Sequence, residues 1–222
     1  MKRYALLGSI KNTQKSLSPF IHNTWMKHYG IDGEYVIFPW DDIADTHTAQ
    51  AELGRIPKLR GFNITTPYKN RYGGNTFVIN RFSGDKVFDT DTYGFRMAFL
   101  QYDVEARKSR YVAILGDGFI AKKIQSYLKT IDIDCVMFSR ANLEILKLSD
   151  ISLPNDVFQI NATSSDFEIP NGISVNYDKD TKVDDFSIQM LIHQAAATFK
   201  YWHGFLPDTT LMENALKKHL SQ

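Results

Sequence analysis

The chain has 222 residues, of which 43% are hydrophobic and 23% charged, a balance that builds one compact domain or two small ones and excludes a disordered or collagen-like chain. Lys+Arg 26 against Asp+Glu 25 leaves a formal net charge of +1, without the basic excess of a nucleic-acid or polyanion binder. The single cysteine, Cys135, excludes an internal disulfide framework and agrees with a reducing, cytoplasmic setting.

Met1-Lys2-Arg3 opens like a signal peptide, but the apolar run Tyr4–Leu7 is too short for its hydrophobic core. Nothing later approaches a transmembrane span. The expectation is a soluble protein with no nucleic-acid or membrane partner. Tyr4 to Gly8 reads as a first strand, and Ser9 to Leu17 as a polar loop. Ser18-Pro19 then reads as N-cap and first helical position, because proline lacks the N–H that would be unpaired there. Ile21, Trp25 and Met26 share the apolar face of that helix, and Gly30 is suited to end it. Tyr35–Phe38 is a second strand. Asp41 or Asp42 is suited to cap a further helix. Gly61–Thr65 is a third strand, broken by Thr66-Pro67.

Tyr111–Leu115 is a continuous apolar run of the kind buried on both faces in a parallel sheet. It leads directly into Gly116-Asp117-Gly118-Phe119-Ile120-Ala121 and a helix with Ile120, Ile124 and Leu128 on one side. Cys135–Phe138 and Val157–Ile160 read as further buried strands, giving the repeated βαβ pattern of an open α/β sheet. A last helical stripe runs through Ile188, Leu191, Ile192, Ala195, Phe199 and Trp202 to Gly204. Thr210 and Glu213 have the spacing of a capping box for a final helix.

Gly116-x-Gly118-x-x-Ala121 is the G-x-G-x-x-A dinucleotide fingerprint, placed between a buried strand and an amphipathic helix. The first glycine permits a tight turn, the second lets a pyrophosphate approach the backbone, and the small third residue lets the helix pack on its strand. The next strand ends in Ser139-Arg140 instead of an acidic residue. A guanidinium cannot accept from a ribose 2′-hydroxyl but pairs well with a 2′-phosphate, so the choice falls on NADP. Arg140 can equally be a solvated surface residue. Asp117 sets a carboxylate where phosphate oxygens would lie, with Lys122 and Lys123 in the following turn.

Lys69 follows a strand in a short polar loop, and Asp91 lies in Asp89-Thr90-Asp91. An amine beside a carboxylate can relay a proton to a hydroxyl that loses hydride. Lone charges in loops are usually solvated, and spacing alone does not bring these two together. No H-E-x-x-H, CxxC zinc site, G-x-S-x-G elbow or Walker loop is present, so no metal site is expected.

Taken in order, several segments resemble the shikimate dehydrogenase family. Ser16-Leu17-Ser18-Pro19-Phe20-Ile21-His22-Asn23 is similar to its S-x-S-P-x-I-H-N segment. Asn63-Ile64-Thr65-Thr66-Pro67-Tyr68-Lys69 is similar to N-V-T-x-P-x-K, and Asn75-Thr76 to the end of G-A-V-N-T. Thr90-Asp91 is similar to the T-D of N-T-D, Asn161-Ala162-Thr163-Ser164 to N-A-T-S, and Met190–Ala195 to M-L-x-x-Q-A. The resemblance implies Lys69 and Asp91 as the catalytic pair. It implies Ser16, Ser18, Asn63, Thr65, Asn75, Tyr177 and Gln194 as substrate contacts. Gly116, Gly118, Ala121, Ser139, Arg140, Asn161 and Thr163 would lie at NADP. Departures from the pattern are Asp89 in place of the N of N-T-D, Tyr68 where histidine is common, and a short segment between Lys69 and Asn75. The cofactor half is also trimmed between Ser164 and Tyr177.

The implied fold is α/β with two domains. Residues 1–91 and 187–222 would form a substrate domain, to which the C-terminal helices return, and residues 92–186 a Rossmann-like NADP-binding domain. The implied activity is NADP-dependent interconversion of 3-dehydroshikimate and shikimate by a cytoplasmic monomer or homodimer. Alternatives are a quinate or aminoshikimate dehydrogenase, or a non-catalytic paralogue that binds without turnover.

Overall fold

The computed structural model describes residues 1–39, 53–65, 68–71, 74–79, 85–139, 141–144, 153–154, 156–163, 169–177 and 180–221. The expected cap at Asp41 or Asp42 and the Thr66-Pro67 break lie outside these residues. The chain divides into two compact units, residues 1–90 with 195–222 and residues 91–194. Among the described residues no helix is long and apolar enough to cross a membrane.

The first unit is built on β1 (Lys2–Gly8), β2 (Gly33–Pro39), β3 (Leu59–Ile64), β4 (Thr76–Val78) and β5 (Lys86–Phe88). They form one sheet in the order β2-β1-β3-β4-β5. β1 runs parallel to both of its neighbours, whereas β4 and β5 are antiparallel additions. Tyr4 to Leu7 are all buried, as a strand flanked on both sides requires.

The stretch expected to be a plain loop contains α1 (Ile10–Thr13), because the Ser9 carbonyl accepts from the N–H groups of Asn12 and Thr13 and from the Thr13 hydroxyl. α2 spans Ser18–His28, with Ile21, Trp25 and Met26 buried. Ser18 is its first residue and not its N-cap, which is Leu17. The capping bond comes from Ser16, whose Oγ accepts from the Ser18 N–H at 3.2 Å. A hydroxyl two residues upstream reaches that orphan donor without leaving the loop. Gly30, at φ +63°, follows the last turn in the left-handed conformation that glycine adopts without strain.

The second unit continues α3 (Thr90–Phe99), whose first residue belongs to the first unit, and adds α4 (Asp103–Lys108). It then holds β6 (Tyr111–Leu115), α5 (Phe119–Thr130), β7 (Cys135–Phe138), β8 (Val157–Asn161) and β9 (Gly172–Ser174). The four strands are parallel in the order β7-β6-β8-β9. Ile114, Ile160, Ile124, Leu128, Phe95 and Phe99 are fully or almost fully buried in its core. β7 was expected to be buried but is not, and Val136 is 55% exposed. It is the edge strand, covered by a neighbour on one side only. β4, β5 and β9 are three-residue strands, too short to show a period in sequence.

The chain ends in α6 (Phe186–His203) and α7 (Thr209–Leu220). The unit division falls inside α6, after Gln194. α6 stops at Gly204, φ +88°. α7 is capped by Asp208 and not by the Thr210/Glu213 box. The Asp208 carboxylate accepts from Thr210 N–H at 2.9 Å and Leu211 N–H at 3.2 Å. The helix begins two residues earlier than the box requires, so the cap falls on the aspartate. The Asp208 carbonyl also accepts from Trp25 Nε1 at 3.0 Å, which pins α7 to α2.

Candidate functional site

In the second unit the chain leaves β6 for β7 on one side and later returns to β8 on the other. The strand order therefore reverses between β6 and β8, and ligands of open α/β sheets bind outside the carboxyl ends at such a point. The Gly116 loop leaves the end of β6, and Asn161–Thr163 lies at the end of β8. Gly116 has φ +114°, and a Cβ there would sit 3.2 Å from Thr163 Cγ2. Its N–H donates to the Phe138 carbonyl at 2.8 Å, while Ala162 N–H donates to that of Leu115 at 2.9 Å. Asn161 Oδ1 accepts from Thr163 N–H at 2.9 Å and Oγ1 at 2.8 Å, closing a turn beside the loop.

Gly118 is the N-cap of α5, and a Cβ there would meet nothing within 4 Å. Open space thus faces the start of a twelve-residue helix with no acidic side chain in its first turn. Ala121 is fully buried, which lets α5 lie close on the sheet. Room, free N–H groups and helix dipole all suit a pyrophosphate. Asp117 is exposed within this loop and opposes the same charge. Lys122 is exposed, and Lys123 Nζ lies 5.4 Å over the Phe119 ring. Ser139 caps the turn at 141–144: its Oγ donates to Asn142 Oδ1 at 2.6 Å and accepts from Asn142 N–H at 3.3 Å. Arg140 lies outside the described residues.

Three further residues belong to this unit. Asp91, 1% exposed, stands in the first turn of α3, where negative charge is favoured. Gln194 and Tyr177 are half-buried. α3 and α6 meet at Gly94, where a Cβ would come within 2.5 Å of the Met190 carbonyl oxygen and 2.8 Å of Gln194 Cβ. No feature of the sequence had marked that glycine as the contact that seats Gln194 against the helix of Asp91.

In the first unit the strand order also reverses, between β1 and β3. Ser16 and Ser18 lie on the connection after β1, both half-buried, with Ser18 at the N-terminus of α2. Thr65 follows β3, and its N–H donates to the Leu7 carbonyl at 2.8 Å. Gly8 makes room for Thr65 Cγ2, which a Cβ at that glycine would overlap. Lys69 is half-buried on a single 3-10 turn, Tyr68–Arg71. Tyr68 is buried with Ala5, Leu7 and Phe62 and so anchors that turn.

Asn63 and Asn75, expected at the ligand, are 6% and 0% exposed. Asn63 Oδ1 accepts from the Tyr35 hydroxyl at 3.0 Å, and its Nδ2 donates to Thr76 Oγ1 at 2.9 Å. Asn75 Oδ1 accepts from Thr90 N–H at 2.8 Å and Oγ1 at 3.0 Å. Both amides face polar partners inside the fold, as buried polar groups must. Asn23, another member of the first motif, clamps β2: its Nδ2 donates to the Tyr35 carbonyl at 2.9 Å and its Oδ1 accepts from Tyr35 N–H at 2.8 Å.

His22 is buried between Tyr35 and Trp202, with ring centroids 4.6 and 5.0 Å away. Burial pushes its pKa down to about 3, with a smaller push from His203. It is therefore a neutral core residue near pH 7 and no proton shuttle. Among the described residues no three metal-ligating side chains gather.

Residues 10–73 match the shikimate dehydrogenase substrate binding domain, and residues 188–217 match the shikimate 5′-dehydrogenase C-terminal domain. A Pyrococcus abyssi protein named shikimate dehydrogenase (NADP(+)) is 28% identical, with 100% of both chains covered. That alignment spans 274 positions against the 222 residues here, so gaps in this chain make up the difference. A solved Thermus thermophilus shikimate 5-dehydrogenase, in complex with NADP(H) and shikimate, gives a TM-score of 0.74 at 22% identity over 98% of this chain and 99% of that one. An Aquifex aeolicus shikimate dehydrogenase gives 0.77 at 18% identity, covering 98% of each chain. At these identities the solved structures establish the shared fold.

Proposed function

We propose, from its matches to both shikimate dehydrogenase domain models and to relatives of that name along its whole length, that this chain interconverts 3-dehydroshikimate and shikimate with NADP(H). What carries the reading is one chain that presents a dinucleotide loop at the switch point of one unit and the serine, threonine and lysine segments at the switch point of the other.

We assign substrate to the first unit, with the C-terminal helices, and NADP to the second. Ser16 and Ser18 would hold the substrate carboxylate, the latter at a helix N-terminus. Thr65, Tyr177 and Gln194 would meet ring hydroxyls, which both donate and accept. Asn63 and Asn75, already engaged inside the fold, are assigned to support of that site. Gly116, Gly118, Ala121, Asn161 and Thr163 would form the cradle for NADP, with Ser139, which caps the turn at 141–144, beside it and Arg140 as the expected 2′-phosphate partner. Bound NADP(H) supplies or accepts the hydride. Lys69 takes the proton from the reacting hydroxyl oxygen during oxidation and returns it during reduction, with Asp91 as its carboxylate partner. The expected setting is the cytoplasm, and the expected assembly a monomer or homodimer.

The test is absorbance at the nicotinamide band with shikimate and NADP+. Lys69→Ala should lower turnover on the order of a hundredfold or more while NADP binding persists, and unchanged turnover would remove the assignment. Asp117 favours a second reading, a paralogue that binds a small carboxylate without turnover. Calorimetry separates them: micromolar NADP affinity supports the enzyme, and no binding at millimolar cofactor supports the binder. Rates with quinate and shikimate separate the related dehydrogenases.

A further inference from the structure

Asn63, Asn75, Thr76, Thr90 and Thr198 form one hydrogen-bonded group in the core of the first unit, each 6% exposed or less. The donor inventory fixes its direction. Thr90 Oγ1 carries one proton, and Asn75 Oδ1, 3.0 Å away, can only accept, so Thr90 donates there. At the 2.8 Å contact Thr76 must then donate to Thr90. Its own proton thus used, Thr76 accepts from Thr198 at 2.9 Å and from Asn63 Nδ2 at 2.9 Å. Thr76 is the hub, with one donation and two acceptances.

The hub joins elements that carry the proposed site. Thr76 pairs with Asn63 of β3 and with Phe88 of β5. Thr90 immediately precedes Asp91, and Thr198 lies one helical turn after Gln194. We propose that Thr76 is a positioning residue for the acid–base chemistry: its hydroxyl holds Thr90, and with it the stretch of backbone that carries Asp91. A valine at 76 keeps the volume but strips a partner from Asn63, Thr90 and Thr198 together. Those groups must then re-pair, Thr198 with Thr90 across their present 3.3 Å, and the start of α3 moves with them.

This inference rests on the functional reading above, so its test has one readout that does not need turnover. In Thr76→Val, amide hydrogen exchange at Thr90 should quicken on the order of tenfold while the amides of Leu6 and Trp25 keep their wild-type rates. Turnover should fall roughly tenfold, with the acid limb of its pH profile displaced and the KM for NADP unchanged. Thr76→Ser should restore both. Wild-type exchange at Thr90 in a folded Thr76→Val protein overturns the proposal. So does a serine variant as impaired as the valine one, since the hydroxyl is then not what matters. If Thr76→Val does not fold, Thr198→Val is read instead: it removes one donor to the hub, and Thr90 exchange unchanged from wild type then overturns the proposal. A wild-type protein without shikimate turnover would overturn the functional reading and with it the catalytic half of this one, and the exchange rates would still decide whether the Thr76 hydroxyl holds Thr90.

Discussion

The backbone of Gly94 in α3 lies so close to Met190 in α6 that an added Cβ would stand 2.5 Å from the Met190 carbonyl oxygen. A carbonyl inside a helix cannot yield as a side-chain tip can. In an unhindered helix Gly→Ala stabilises by about 1 kcal/mol. Here Gly94→Ala should do the opposite, costing on the order of 1–3 kcal/mol as the two helices are forced apart. Thermal unfolding reads the sign directly. Because Gln194 Cβ is the next neighbour, at 2.8 Å, shikimate affinity should fall with it.

Asn75 Oδ1 serves two donors of Thr90 at once. Asn75→Ala leaves a buried N–H and a buried hydroxyl without that acceptor. Each orphaned donor costs roughly 1–3 kcal/mol, so the urea midpoint should drop clearly without a change in slope.

Asp117 stands exposed between Gly116 and Gly118, at the start of α5. Asp117→Asn removes a negative charge from the approach of a polyanionic cofactor and leaves the loop backbone unchanged. Calorimetry should show NADP+ binding tighten about threefold at low salt, and the gain should shrink as the screening length shortens to about 8 Å at 0.15 M. Equal affinities at all salt concentrations would mean that the loop does not meet the phosphates.

Burial pushes His22 to about 3 and His203 to about 4. The ordinary value is 6.5 for each. Below pH 6.5 the unfolded chain takes up these protons while the folded one does not, so stability falls as pH drops from about 6.5 toward 3–4. One pH unit below 6.5, His22 alone should account for roughly 1 kcal/mol. Melting temperatures between pH 7.5 and 5 should show the decline, and His22→Phe should make it shallower while the His203 share remains.

Much of this protein follows from local chemistry. Tyr111–Leu115 is apolar throughout, and from Val112 to Leu115 it becomes a strand covered on both faces. A turn that closes at φ +114° needs Gly116, and a helix that starts against a sheet needs a residue as small as Ala121. Such features depend on neighbours within a few positions, and the order of elements shows them. Other features depend on which strands end up side by side. Cys135–Phe138 reads like Tyr111–Leu115, yet it is only partly buried, with Val136 exposed, because it lies at the sheet edge. Asn63 and Asn75 read as ligand contacts, yet β3 and β4 pair so that both amides turn inward to Tyr35, Thr76 and Thr90. Thr198 interrupts an apolar stripe without any mark of its own, and Gly94 matters only because Met190 lies across it. A hydrogen bond or a helix crossing between residues on different elements leaves no periodicity in the chain, so tertiary packing alone decides which polar groups it joins.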